Sequence, residues 1–250
     1  MESDLAYGLV ALAAFAAGAV NALAGGGTLV TFPVLTAVGL PAVVANITNA
    51  VALCPGYFGG TWSQRKDLTG QGARLRLLLP LGAAGGVLGA WLLLLSGEKL
   101  FRTLVPWLIL TASFLLAAQD PLKAFVARWR QDGDHRAAAA TPIAIAAVYG
   151  GYFGAGLGVV MLATLGLTLD DNLTRLNAVK QALSCVINVA AAAFFLFSGQ
   201  VNWPVAGVMA VAALLGGLLG GKLAGRISSA ALRRVVVTVG IGVGIFYLTH

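Results

Sequence analysis

A chain of 250 residues with 59% hydrophobic and 10% charged side chains and a mean hydropathy of +0.89 is not an ordinary soluble domain, in which about a quarter of residues are charged. Its formal charge of +7 does not point to nucleic acid, because the 16 basic residues lie at the edges of apolar stretches or in loops and form no stripe interleaved with aromatics. Several apolar stretches approach the ~20 residues that cross a hydrocarbon core, so the composition defines an all-α polytopic membrane protein.

In chain order, Met1-Glu2-Ser3-Asp4 is acidic where a cleavable signal would be basic. Apolar segments follow at 5–24, 28–40, 42–61, 77–95, 103–118, 139–154, 157–169, 173–198, 203–221 and 233–249. Segments 28–40 and 157–169 are too short to span at ~1.5 Å per residue. Each follows a glycine cluster: Gly25, Gly26 and Gly27 before the first, and Gly154 and Gly156, with Gly158, at the second. Glycine breaks a helix at little steric cost, so a broken helix or hairpin is expected at each place, followed by three spanning helices.

The two glycine clusters belong to a repeat. At an offset of 128, Gly26 pairs with Gly154, Leu29 with Leu157, Thr36 with Thr164, and Asn49-Ala50-Val51 with Asn177-Ala178-Val179. Further on, GGVLGA at 85–90 returns as GGLLGG at 216–221, glycines that read as close helix-packing positions. Duplicated, glycine-interrupted apolar units are a common construction of secondary transporters. With the loops 61–76, 119–138 and 222–234 placed in the cytoplasm, their 12 basic residues with Arg175 and Lys180 at the inner start of a helix put 14 of the 16 inside, and only Lys99 and Arg102 lie outside. Each half then crosses an odd net number of times. The expected architecture is two inverted repeats, 5–118 and 139–249, in one transmembrane domain joined by a mobile cytoplasmic loop at 119–138. Both termini fall outside.

Ionisable groups at membrane depth are costly and mark function. All nine acidic residues and both histidines lie outside the apolar segments, which argues against cation transport. Cys54 and Cys185 lie inside them and read as small packing residues, with no disulfide framework or metal site. No nucleotide motif or catalytic constellation can be assembled, and neither a cofactor nor a nucleic-acid partner is expected. Lys180 stands about two turns into its helix. It either snorkels to the cytoplasmic surface or points inward and attracts an anion. On a helix it shares a face with Asn177, Gln181 and Ser184. Six amides, Asn21, Asn46, Asn49, Asn177, Gln181 and Asn188, lie near the two glycine breaks. They serve as helix-to-helix glue or as donors. A broken helix exposes unpaired N–H groups and about half a positive charge at its N-terminus, and with those amides and one lysine nearby this makes an anion site. Thr28 and Thr48 complete the candidate set.

The stretch GAVNALAGGGTLVTFPVL with GLPAVVANITNAV resembles the first repeat of the sulfite exporter TauE/SafE family. RLNAVKQALSCVINVAAAAFFLFSGQVNW resembles that family's Leu-Asn-Ala-x-Lys, later Asn, and Phe-x-x-x-Gly-x-Val-x-Trp. The likeness covers essentially the whole chain. By resemblance Gly25, Gly26, Gly27, Pro33, Asn46, Thr48 and Asn49 take the first motif's positions, and Asn177, Lys180 and Asn188 take the second's. Gly-Ala-Gly-Leu-Gly at 154–158 and Thr-Asn at 48–49 depart from many members. The resemblance implies a cytoplasmic-membrane transporter, not an enzyme, moving sulfite or an organosulfonate such as sulfoacetate. Its partners would be that small anion and the lipid bilayer, with oligomeric state open. Uptake of another anion, or a membrane-embedded scaffold or enzyme subunit, are the competing readings.

Overall fold

In the computed structural model, residues 4–23, 26–128, 136–222 and 229–249 are described. Ten α-helices follow in order: α1 (Asp4–Leu23), α2 (Thr28–Ala37), α3 (Ala42–Ser63), α4 (Gly72–Ala117), α5 (Gln119–Arg128), α6 (Arg136–Tyr152), α7 (Leu157–Thr168), α8 (Leu173–Leu196), α9 (Trp203–Lys222) and α10 (Ser229–Thr249). Five helical stretches among the described residues are long and apolar enough to cross a membrane: Asp4–Asn21, Ala42–Ser63, Gly72–Ala117, Thr174–Leu196 and Ala230–Thr249. Large apolar side chains on the outside, such as Phe114 at 71% exposed, suit a hydrocarbon solvent. Helices satisfy their backbone groups internally there.

Two expected elements differ. Segments 77–95 and 103–118 form one run, α4, of 46 residues. At about 69 Å if straight, it is twice the depth of a hydrocarbon core. It bends into two arms at Gly97, whose φ of 63° lies in the region that only glycine enters readily. The bend aims Glu98 at the start of α3, where its carboxylate accepts from Ala42 N (2.6 Å) and Val43 N (2.9 Å) and offsets the positive helix end. The stretch 119–138, expected as a loop, contains α5 and the first turn of α6. A run with Leu122 and Phe125 between charges carries enough amphipathicity to coil. Arg233 at the start of α10 holds α5 through Gln119 Oε1 (2.9 Å) and Asp120. The expectation of mobility centred on Gly133 falls on residues 129–135, outside those described.

α1 packs on α9, and α6 on the first arm of α4. Glycines make these approaches possible. A β-carbon on Gly18 would overlap the Ala213 carbonyl, one on Gly216 the Phe15 carbonyl, and one on Gly89 the Val148 carbonyl. α3 touches α9, and α8 touches α4. α2 touches α10, and α7 touches α4. α3 meets α8, and α10 meets the second arm of α4. Exchanging α1, α2, α3 and the two arms of α4 for α6, α7, α8, α9 and α10 turns the first three pairs of contacts into each other and the last two contacts into themselves. The buried centre includes Phe32, Phe101 and Phe153, whose rings meet edge to face or tilted at 5.5–6.2 Å. Leu78, Ile143, Met161, Leu183 and Ile187 form a second core.

Candidate functional site

Both glycine breaks rest on the second arm of α4, one turn apart. A β-carbon on Gly26 (φ 90°) would stand 2.9 Å from Leu116 Cδ2, and one on Gly156 (φ 75°) 3.3 Å from Ala112 Cα. Asn46 ties the halves there, its Nδ2 donating to Tyr152 O at the end of α6 (2.9 Å). Thr48 Oγ1 accepts from Asn202 N ahead of α9 (3.0 Å). Both hydrogen bonds join α3 to segments later in the chain.

The first break is closed on itself. Asn21 Oδ1 accepts the Gly27 N–H (2.8 Å), Thr31 donates to Asn49 Oδ1 (2.6 Å), and Asn49 Nδ2 donates to Thr28 Oγ1 (3.3 Å). Asn21, Thr28 and Asn49, candidates as ligand binders, are therefore occupied in holding α1, α2 and α3 together. Gly25 lies outside the described residues.

The second break is built differently. Gly154 (φ 78°) and Gly156 turn the chain from α6 into α7 in a conformation that a side chain would strain. Tyr149 donates its hydroxyl to Ala155 O inside the turn (2.5 Å). The N-cap of α7 is Gly156, which has no side chain to close the helix end. Opposite it runs α8, capped by Asn172 Oδ1 accepting from Arg175 N (2.9 Å). Lys180 reaches this point, with Cδ and Nζ 3.8 and 3.9 Å from where a β-carbon of Gly158 would stand. Counting from the α7–α8 connection at ~1.5 Å per residue, the Lys180 backbone is about 10 Å along and Gly158 about 15 Å along. The end of the Lys180 side chain therefore stands beside the first turn of α7. Asn188, two turns on, carries Oδ1 4.0 Å from the β-position of Gly154. Its Nδ2 donates to Ser184 O (2.8 Å), which fixes the amide's orientation.

Ser184 lies between them, 4% exposed, and its Oγ has no hydrogen-bond partner among the described residues. The other two candidates on α8 face α3 instead. Asn177 Nδ2 donates to Gln64 Oε1 (2.8 Å), and Gln181 lies across Gly60. At the 128-residue offset the α3 counterparts of Lys180, Ser184 and Asn188 are Ala52, Gly56 and Gly60. The polar set belongs to one half only.

Below the site, Asp171 in the α7–α8 connection accepts from Arg74 Nη1 (2.6 Å) and Gln71 Nε2 (2.7 Å), and Arg175 stands 3.7 Å away. Burial pushes its carboxyl up, but those two hydrogen bonds, the Asn172 N–H and the Arg175 charge together hold it below the usual carboxylate range. Because the pKa falls on folding, this tie between the halves stabilises the chain above the ordinary carboxylate range. That contribution is lost as the pH falls through the lowered value.

Apolar helices that cross a membrane, with broken helices meeting inside the bundle, define a multi-pass membrane protein of transporter type. A model of the family described as "Sulfite exporter TauE/SafE" matches residues 10–247, and the chain belongs to that family. It is 25% identical over 246 residues to the probable membrane transporter protein YfcA of Escherichia coli K12, covering 96% of this chain and 88% of that protein. It is 26% identical over 254 residues to the probable membrane transporter protein ORF9 of a Sinorhizobium species, covering 97% and 93%. A probable membrane transporter protein of Haemophilus influenzae is 27% identical over 223 residues, covering 89% and 87%. No solved structure matches significantly. The family is one of transporters, so the enzyme alternative falls.

Proposed function

We propose that this chain is a secondary transporter of small oxyanions that exports sulfite or an organosulfonate across the cytoplasmic membrane by alternating access. The observation that carries the reading is the Lys180 ammonium lying beside the first turn of α7, at Gly158, where the helix starts from a glycine. A cation and a positive helix end directed at one place favour an anion and repel a cation.

Alternating access needs two halves that can rock against each other. The exchangeable helix contacts and the breaks on one face of α4 support inverted repeats, 5–118 and 139–249, as those halves. The basic loops support cytoplasmic placement of the Arg74–Asp171 and Arg233–Asp120 ties, with both termini outside. Asn46, Thr48, Asn49, Asn177 and Gln181 shape the path by holding helices, and Lys180, Asn188, Gly154 and Gly156 face the anion.

Purified chain in liposomes loaded with unlabelled sulfite is expected to accumulate labelled sulfite by exchange. Competition by sulfoacetate and none by sodium or glucose would identify the cargo class. Exchange of an unrelated anion with sulfite ignored would favour the uptake reading. Absence of any anion flux in folded, reconstituted protein would leave the scaffold reading.

A further inference from the structure

We infer that Ser184 is a ligand of the transported anion, donating its hydroxyl to a substrate oxygen between the Lys180 ammonium and the Gly154–Gly158 turn. The inference rests on the anion-transport reading and adds a residue to its site.

A serine inside a helix ordinarily folds its hydroxyl back to the carbonyl four residues earlier. Ser96 does so to Leu92 O (2.8 Å), Ser113 to Ile109 O (2.8 Å) and Thr168 to Thr164 O (2.7 Å). Ser184 does not. Its Oγ is buried without a partner, a condition that native structures avoid unless another demand holds it there. Direction supplies the demand. Ser184 is four residues from both Lys180 and Asn188, so it projects about 40° from each around the α8 axis. Those two neighbours reach Gly158 and Gly154, and the spacing puts Ser184 between them on the face of α8 that meets the start of α7. A hydroxyl supplies a short directional donor to one oxygen, while the ammonium supplies charge. Together with one lysine this fits a small anion that presents one charged group with at least two oxygens, as bisulfite and the sulfonate end of an organosulfonate do.

The two roles of a serine here separate by sign. If Ser184 waits for a ligand, Ser184→Ala removes an unsatisfied buried donor. It should raise the melting temperature of the anion-free protein while weakening sulfite binding about tenfold, the loss of one hydrogen bond to a charged partner. The experiment is a thermal-melt titration of the full-length purified chain with sulfite, run on wild type, Ser184→Ala and Lys180→Ala. Loss of the sulfite response in Lys180→Ala, with a stabler and weaker-binding Ser184→Ala, is the expected result. Undiminished sulfite affinity in Ser184→Ala beside a Lys180→Ala that has lost it would overturn the assignment and leave the anion reading standing. A lower melting temperature with unchanged affinity would overturn it too, by making the hydroxyl a packing group. Full sulfite affinity in Lys180→Ala would bring down the underlying reading instead.

Discussion

Lys180→Ala is expected to reduce sulfite exchange in liposomes to below about one-hundredth of wild type while the protein remains folded and membrane-inserted. A unit charge about 4 Å away contributes on the order of 4 kcal/mol at an effective dielectric of ~20, which corresponds to nearly a thousandfold in affinity. The α7 end, worth up to ~2 kcal/mol for an anion in a partly buried setting, cannot replace it. Lys180→Arg should recover only part of the rate, because a wide planar fork does not fit where a compact ammonium lies against Gly158. Wild-type rates in Lys180→Ala would remove this side chain from the path.

The second large effect concerns stability. Gly89→Ala places a methyl group into the Val148 carbonyl where α4 and α6 cross, and backbone cannot move aside as a side-chain tip can. Overpacking of a well-packed contact costs ~1–3 kcal/mol, and the upper end or more is expected here. That is a large share of a total stability of only ~5–15 kcal/mol. Gly8→Ala in α1 is the control, since a β-carbon there meets nothing within 4 Å; it should stabilise the helix by about 0.5–1 kcal/mol. Melting temperature and monodisperse yield in detergent check both. Equal behaviour of the two variants would contradict the close crossing.

The helices were legible in the sequence because length and hydropathy alone dictate them in a membrane. Each of the ten apolar segments became helical, and the two short ones fell directly after the glycines. Two features escaped. Gly97 reads as an ordinary loop glycine until its positive φ shows it bending one long helix, and the amphipathic run after Gln119 is too short to register as an element. The candidate site's residue types were legible, but their pairing was not. Asn49 and Asn177 occupy equivalent positions, yet Asn49 is locked by Thr28 and Thr31, whereas Asn177 meets Gln64. Which partner stands opposite is a tertiary fact. Ser184 was legible as the residue one turn beyond Lys180 on the same face. Its distinguishing property, an unpaired hydroxyl, exists only once the helices are packed.

The central claim is that an anion sits between the start of α7 and Lys180 on α8. Selenite, a heavier analogue of sulfite, would locate it directly through the anomalous scattering of selenium in crystals of the full chain. The account predicts a selenium peak within hydrogen-bonding reach of Lys180 Nζ and Ser184 Oγ, bordered by Gly154–Gly158, which disappears in Lys180→Ala crystals. A peak at the Asn21–Gly27 turn instead, or one at the α7 start that persists without the lysine, would contradict it.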